Sequence, residues 1–470
     1  MSDLRIETTA IEGLLVLHLP VHGDSRGWFK ENWQRAKMTE LGLPDFGPVQ
    51  HNISFNAARG TTRGVHAEPW DKLVSVVTGH ILGGWVDLRE GPGFGTVVTV
   101  DIGPDKAVFV PRGVGNSYQS LQDATTYTYL VNQHWSAAAK QHYTYANVYD
   151  PALGIDWPIP RDQAELSEAD QNHPMLADVT PMKPRRTLIV GAGGQVSRAL
   201  QRLLPDAVVA GSGTLDLTSP DQVAGFDFSG FDTIINTAAF TSVDAAETAD
   251  GRRMAWQLNA TGVALLAEAA RAHRLRLVHI SSDYVFDGTQ PEHDEHEPFA
   301  PLGVYGQTKA AGDLAAAGVP QHWIVRTSWV VGEGRNFVAT MAALAAKGAS
   351  PSVVDDQFGR LTFADDLAAG IVHLLSSGAA PGTYNLSNSG PEVSWAQVAA
   401  RVFELCGRDA SDVTPVSTAD YAAGKLLAPR PAHSGLALGR IIATGFTPPD
   451  ADARLVDWLA AHAPAQGKMR

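Results

Sequence analysis

Hydrophobic and polar positions follow two different periods along the chain, and the change falls near its middle. Up to about Asp156 the pattern is short and strand-like. Lys72–Thr78, Ile81–Leu88, Gly95–Ile102, Lys106–Pro111 and Thr125–Asn132 are β-branched, aromatic or alternating, with Gly79, Gly91-Pro92-Gly93, Gly103-Pro104 and Gly113 between them. Strands at this spacing predict a sandwich or barrel. Thr125–Asn132 alternates Thr and Tyr, which predicts one face inward and one outward. Gln171–Arg186 holds three prolines and no period, and reads as an extended linker. Beyond it strand and helix alternate. Thr187–Val190, Thr233–Asn236 and Arg276–Ile280 read as strands, and Gln195–Leu204, the Ala-rich Met254–His273 and Thr308–Ala316 as helices. That order predicts βαβ units on a parallel sheet. The expected domains are 1–180 and 186–470, with no internal repeat.

At roughly 150 residues per domain, 470 residues allow two or three units, and the change of texture favours two. Apolar residues at 44% and charged residues at 18% mark a globular chain. Thirty-six Lys+Arg against 50 Asp+Glu leave a net charge of −14, which argues against a sequence-independent nucleic-acid partner. A small phosphorylated substrate stays possible, because it needs only local cations and backbone N–H groups. The single cysteine, Cys406, rules out a disulfide framework and is expected in the core. No stretch reaches the ~18–20 apolar residues of a membrane helix. Leu14–Leu19 is too short and lacks a basic flank, so a soluble, cytoplasmic protein without a membrane partner is expected.

In the second half the strand Thr187–Val190 runs into Gly191-Ala-Gly-Gly194-Gln195-Val196 and then a helix. Glycines there let backbone N–H groups approach a pyrophosphate at the positive end of the helix. Ser197 replaces the third glycine of the usual fingerprint, and a plain βα turn is the alternative. Tyr305 and Lys309, four apart, share a helix face. A nearby ammonium lowers a phenol's pKa, so this Tyr can protonate a developing alkoxide during hydride transfer. The spacing recurs at Tyr421 and Lys425, ahead of Pro429-Arg430-Pro431, and is read there as surface. The first copy follows a strand and the loop SSDYVFDG (281–288), which supplies a hydroxyl. Together GAGGQV, INTAAFTSVDAAE, SSDYVFDG, YGQTK, RTSWVVGEGRNFV and DDQFGRLT resemble the extended short-chain dehydrogenase/reductase superfamily, and within it the dTDP-4-dehydrorhamnose reductase family. The resemblance runs from about Thr187 to the C-terminus. It implies a Rossmann doubly wound sheet with a small substrate-binding lobe. It makes Tyr305 the proton donor, Lys309 its partner and ribose contact, and Ser282 the hydroxyl. It puts Gly191, Gly194, Gln195 and Val196 on the pyrophosphate, Asp216, Ala238, Ala239 and Thr241 along the cofactor, and Trp329 and Asn336 near the sugar nucleotide. The second strand ends in Gly211-Ser212-Gly213, with neither a ribose-binding acid nor a 2′-phosphate Arg. NADPH is the expected cofactor, with NADH the alternative.

The first half is less explicit. His66 sits just before the strand at Lys72, and no second or third ligand stands at metal spacing, so no metal site is expected. A His with a carboxylate partner can instead act as a general base. The segments DSRGWFKE (24–31), QHN (50–52), RGVH (63–66), KLV (72–74), VDLR (86–89), FG (94–95), DPALGIDWP (150–158) and LSEAD (166–170) resemble the dTDP-4-dehydrorhamnose 3,5-epimerase family over about residues 5–178. The resemblance implies an all-β, cupin-like jelly roll without a cofactor. It makes His66 the base, Asp170 the carboxylate that orients it and Tyr129 the acid on the opposite face. Arg26, Glu31, Gln50, Asn52, Arg63 and Lys72 become nucleotide-sugar contacts. Three places depart from the family pattern: Ala67-Glu68 after the base, Asn116-Ser117 in place of His-Gly, and His134-Trp135 after the strand of Tyr129.

The two resemblances name consecutive steps on one intermediate. A 4-keto sugar has acidic C–H bonds at C3 and C5, and the epimerised ketone is what a C4 reductase consumes. The expectation is one chain that makes dTDP-L-rhamnose from dTDP-4-dehydro-6-deoxy-D-glucose. Its rivals are a reductase whose first half is a non-catalytic binding or oligomerisation module, and an epimerase acting at one carbon. Thymine and uracil nucleotides both fit. The resemblance further implies a homodimer through the β domain. The acidic run Glu292–Glu297 reads as a solvated loop near the substrate entrance.

Overall fold

In the first unit the alternating apolar positions close into two stacked antiparallel sheets. The computed structural model describes residues 3–462 and divides the chain into units ending at Pro184 and beginning at Arg185. One sheet runs Arg5–Thr8, Leu15–His18, Lys106–Val110, Lys72–Thr78, Thr125–Val131, Gln50–Asn56 in spatial order. The other runs Thr144–Tyr145, Thr62–Ala67, Val114–Ser120, Ile81–Asp87, Val97–Ile102. Val74, Val76, Trp85, Val108, Tyr118 and Tyr127 fill the space between them, which makes the unit a jelly-roll sandwich. The Thr/Tyr alternation is not as clean as expected. Thr128 faces away from Tyr127 and is also buried, its hydroxyl donating to Asn52 O at 3.0 Å.

Gln171–Arg186 is not a linker. Val179 and Met182 are buried in the first unit's core. Met182 N donates to Leu88 O at 2.8 Å, and Met182 O accepts from Glu90 N at 3.0 Å. The prolines hold the backbone extended, and the apolar side chains between them still go where water is excluded.

The second unit carries six parallel strands in the order Val208–Ala210, Arg186–Val190, Phe231–Asn236, Arg276–Ser282, His322–Thr327, Gly382–Asn385. Chain order reverses between Arg186–Val190 and Phe231–Asn236, the switch point at which such sheets open a crevice. Leu266, Ala267 and Ala270 cover one face, and Leu200, Leu367 and Ile371 the other, as in a doubly wound fold. A smaller lobe has its own core of Val338, Met341, Phe363, Val402, Phe403 and Leu455. Cys406 packs against this lobe's core but stays half-exposed.

Two expected helices differ. The helix of Lys309 starts earlier, as Val304–Ala317, so Tyr305 lies on it as well. The long Ala-rich helix is Ala249–Trp256 and Gly262–His273, joined by a wider turn over Gln257–Thr261. There buried Asn259 takes Phe240 N at 2.8 Å and donates to Phe240 O at 3.0 Å, pinning the loop that follows Ala239. The acidic run is solvated at Glu292, Asp294 and His296 but anchored at the positions between them. Glu292–His293 pairs with Gly435–Leu436, and His293 is fully buried against Phe286 with ring centroids 4.6 Å apart. Glu295 is buried too and accepts from Asn385 N at 3.1 Å. Of the described helices, none is long and apolar enough to cross a membrane.

The buried tail of the first unit makes a direct prediction. Met182→Ala removes core contacts and should cost that unit about 2–4 kcal/mol, seen as a lower denaturation midpoint. An unchanged midpoint would return the segment to the status of a linker.

Candidate active sites

The sandwich places His66 and Tyr129 on different sheets facing one cavity of about 860 Å³. His66 belongs to Thr62–Ala67, flanked across the strands by Tyr145 and Asn116. Its Nε2 lies 2.7 Å from Oδ1 of Asp170. Asp170 is buried on the short helix Glu168–Gln171, where Ser167 caps the N-terminus by accepting from Asp170 N. An Nε2–H given to this carboxylate leaves Nδ1 with the lone pair of a base. His173 Nε2 lies 3.3 Å from the same oxygen, and its ring stacks on Tyr145 at 4.5 Å. Burial pushes the Asp170 carboxyl up, but the two imidazoles, His173 first and then His66, outweigh it and hold it well below the usual carboxylate range. His66, Asp170 and His173 bring donor atoms within 4.8 Å of one another. The 2.7 Å contact is hydrogen-bond length, shorter than two ligands of one metal ion ordinarily stand apart.

Tyr129 is half-buried, and its phenol is pushed up to about 12, by burial first and then by the charge of Glu68. It therefore holds its proton at neutral pH. Glu68 is itself buried, 2.8 Å from Lys72 Nζ, and accepts from Trp70 Nε1 at 2.6 Å. Lys72 Nζ stands 5.6 Å from the centre of the Tyr129 ring. Gln50, Asn52 and Arg63 line the cavity with the dyad. Lys72 is buried behind the wall that Glu68 forms. Arg26 and Glu31 do not line it. Arg26 is 88% exposed on the hairpin His22–Asp24/Gly27–Phe29 and pairs with Asp24, while Glu31 pairs with Lys37 at 2.6 Å. Asn116 is buried, and its Oδ1 accepts from Tyr127 Oη at 3.0 Å. Glu68, Tyr143, Tyr145 and His173 line the cavity without having been singled out for it. The alternating His142-Tyr-Thr-Tyr145 was the available signal for the two tyrosines.

In the second unit a cavity of about 620 Å³ opens at the switch point. Gly193, Gly194, Gln195 and Val196 line it at the N-terminus of the helix Gln195–Leu203, together with Ala239, Thr241, Ser282, Tyr305, Lys309 and Trp329. Gly191 has φ +100°, and a Cβ there would stand 2.7 Å from Thr237 Oγ1. At Gly193 and Gly194 a Cβ would meet nothing within 4 Å. The turn thus leaves an open face with free N–H groups, and these residues fit a dinucleotide pyrophosphate.

Ala238 lies behind the turn, close to Gly191. Asp216 does not reach the cavity, because its carboxylate turns back to Thr218 N at 2.9 Å and Thr218 Oγ1 at 2.8 Å. Asn336 caps the helix Phe337–Ala346, accepting from Ala339 N at 2.8 Å. Trp329 stacks on Trp395 with centroids 3.6 Å apart, and Trp395, not anticipated, also lines the cavity.

Lys309 is buried, and its Nζ donates to Ile280 O at 2.6 Å. Burial pulls its amine down to about 8, against the opposing charge of Asp313. The Tyr305 phenol is not lowered as its spacing from Lys309 suggested. Burial pushes it up to about 12, against a pull from the Ser282 hydroxyl. A phenol in that state is a proton donor, which is what reduction of a ketone asks of it. Gly306 permits the arrangement, since a Cβ there would stand 2.1 Å from Tyr284 O and drive the helix off the SSDY loop. The second Tyr-x₃-Lys set lies outside the cavity. Lys425 Nζ rests 3.7 Å over the exposed Tyr421 ring.

Residues 8–178 match the family described as dTDP-4-dehydrorhamnose 3,5-epimerase, and residues 185–463 the family described as RmlD substrate binding domain. A Streptococcus pyogenes protein named Protein RmlC homolog is 50% identical over 184 residues, 38% of this chain and 92% of its own. A Mycobacterium tuberculosis dTDP-4-dehydrorhamnose reductase is 37% identical over 295 residues, 60% of this chain and 93% of its own. A solved dTDP-4-dehydrorhamnose reductase from Bacillus anthracis, in complex with NADP, is 34% identical with a TM-score of 0.54, and the match covers 59% of this chain and 99% of that one.

The open turn can be tested alone. Gly194→Leu sets a side chain at the helix N-terminus and should weaken dinucleotide binding by roughly tenfold or more, about 1.4 kcal/mol, in calorimetric titration. Unaltered binding would remove the turn from the site.

Proposed function

The chain belongs to the dTDP-4-dehydrorhamnose 3,5-epimerase family through its first unit and to the RmlD substrate binding domain family through its second, and from that premise we propose that it is bifunctional, epimerising dTDP-4-dehydro-6-deoxy-D-glucose at C3 and C5 and then reducing the C4 ketone to give dTDP-L-rhamnose. The observation that carries this reading is that each unit has its own proton-transfer set: His66 with Asp170 opposite Tyr129 in one, and Ser282, Tyr305 and Lys309 in the other.

In the first site His66 removes a proton α to the ketone, and Asp170 stabilises the imidazolium that forms. The C–H pair passes to the enolate, and Tyr129, across the cavity, returns a proton from the other side. Gln50, Asn52 and Arg63 hold the nucleotide sugar, and Lys72 offsets charge near the Tyr129 ring. In the second site bound NADPH supplies the hydride. Tyr305 gives its proton to the keto oxygen, and Lys309 and Ser282 steady the phenolate left behind. Gly191, Gly194, Gln195 and Val196 hold the pyrophosphate, Ala239 and Thr241 flank the cofactor with Ala238 supporting the turn from behind, and Trp329, backed by Trp395, meets the sugar nucleotide. Asp216 and Asn336 serve this site through the turn and the helix cap they form. NADPH is favoured over NADH because no acidic side chain follows Val208–Ala210 to repel a 2′-phosphate, and the Bacillus anthracis relative holds NADP.

Homodimer formation through the first unit is part of the same reading. The edge strand Gln50–Asn56 exposes Ile53 by 66% and Phe55 by 63%, and the hairpin of Arg26 exposes Trp28 and Phe29. A second reading rests on Asn116. Its side chain is taken up by Tyr127 and adds no acid or base beside His66, which suits exchange at one carbon only.

Two variants of the full chain test the proposal. His66→Ala should lower epimerisation by about 10³-fold or more and leave NADPH oxidation with pre-epimerised ketone intact. Tyr305→Phe should do the reverse. Epimerisation surviving in His66→Ala would make the first unit a binding module, and reduction surviving in Tyr305→Phe would remove the second site.

A further inference from the structure

We propose that Asp283 is a positioning residue of the second site, whose carboxyl decides which way the one proton of the Ser282 hydroxyl points. The inference rests on the reading of this unit as a ketone reductase. Asp283 lines the same cavity as Ser282 and Tyr305, and is 3% exposed. Ser282 Oγ donates to Asp283 Oδ1 at 2.9 Å and accepts from Tyr284 N at 3.2 Å. The other carboxyl oxygen, Oδ2, is buried with no hydrogen bond of good geometry among the described residues.

A hydroxyl has one hydrogen to give. While Asp283 is a carboxylate it can only accept, so the Ser282 proton is committed to it. Ser282 can then take a hydrogen bond from Tyr305 but cannot give one to a phenolate or a keto oxygen. Once Asp283 carries a proton, its own O–H donates to Ser282 Oγ, and the Ser282 hydrogen turns toward Tyr305. In the reduction the Tyr305 O–H bond breaks as its proton passes to the keto oxygen, and the phenolate left behind gains a hydrogen bond from Ser282. Protonated Asp283 is therefore the state in which the site works best.

Several groups face this carboxyl. Ser282 and Tyr284 come from its own turn, Tyr305 from Val304–Ala317, His293 from Glu292–His293, and Ser434 from the residue before Gly435–Leu436. Burial, the largest influence, pushes the acid up to about 6, against the Ser434 and Ser282 hydroxyls and the charge of His293. It is neutral below that pH and ionised above it. Its negative charge also raises the Tyr305 and Tyr284 phenols, so ionisation opposes phenolate formation twice.

The test is kcat and KM for NADPH-dependent reduction of the pre-epimerised ketone across pH, with the native full chain, Asp283→Asn and Ser434→Ala. The native kcat should fall above a limb near 6, roughly tenfold per pH unit until the activity of the ionised form is reached, with KM little changed. Asp283→Asn offers Ser282 an N–H at every pH and cannot ionise, so it should abolish that limb and leave the higher one set by Lys309 and Tyr305. Ser434→Ala removes a group that lowers the carboxyl and should move the limb to higher pH. A native-like limb in Asp283→Asn, or an unmoved limb in Ser434→Ala, overturns the inference. Should Asp283→Asn not fold, Ser434→Ala decides alone. A native chain that reduces the ketone at no pH overturns the reductase reading, and this inference with it.

Discussion

Withdrawal from water keeps a tyrosine protonated in each unit, and both sites depend on that. Tyr129 and Tyr305 sit in unrelated folds, yet burial pushes both phenols up to about 12. In the proposed chemistry a phenol that keeps its proton serves as an acid toward an enolate in one cavity and toward a keto oxygen in the other. The groups around each tyrosine are arranged against that background. In the first unit Asp170 is held ionised by two imidazoles, so His66, opposite Tyr129, has a charged partner. In the second, Lys309 is drawn down to about 8 on the same helix as the phenol.

The folds supply this geometry by different routes. A sandwich brings two sheets face to face, so residues far apart in sequence, His66 and Tyr129, can face one cavity from different sheets. A doubly wound sheet instead gathers its working groups at the carboxyl ends of neighbouring strands. The Gly turn follows Arg186–Val190, the hydroxyl of Ser282 ends Arg276–Ser282, and Tyr305 and Lys309 stand one turn apart on Val304–Ala317. Gly306 lets that helix rest on the Tyr284 carbonyl, which couples the two elements directly.

The same contrast explains what could be read from the amino-acid order. The second site is local, with four residues of turn and a four-residue spacing on one helix, so its parts were visible as patterns. The dyad His66–Asp170 spans 104 positions, and only likeness to a family connected them. Asp216 and Asn336 were expected in the cavity but bond their own backbone as turn and cap, a competition that Asp and Asn side chains commonly win. Proline content suggested a linker where Met182 completes a core, because periodicity does not register a single buried side chain between bends. The buried His293 was hidden among acids that pattern alone assigns to solvent.

The central claim is that one chain carries a carbon-acid site and a hydride-acceptor site acting in turn on the same ketone. Proton NMR of the full-length protein with dTDP-4-keto-6-deoxyglucose in D₂O, first alone and then with NADPH, tests it most directly. The account predicts deuterium at C3 and C5 before NADPH is added, and dTDP-L-rhamnose carrying that deuterium afterwards. No deuterium at either carbon, with NADPH consumed only when pre-epimerised ketone is supplied, would contradict it.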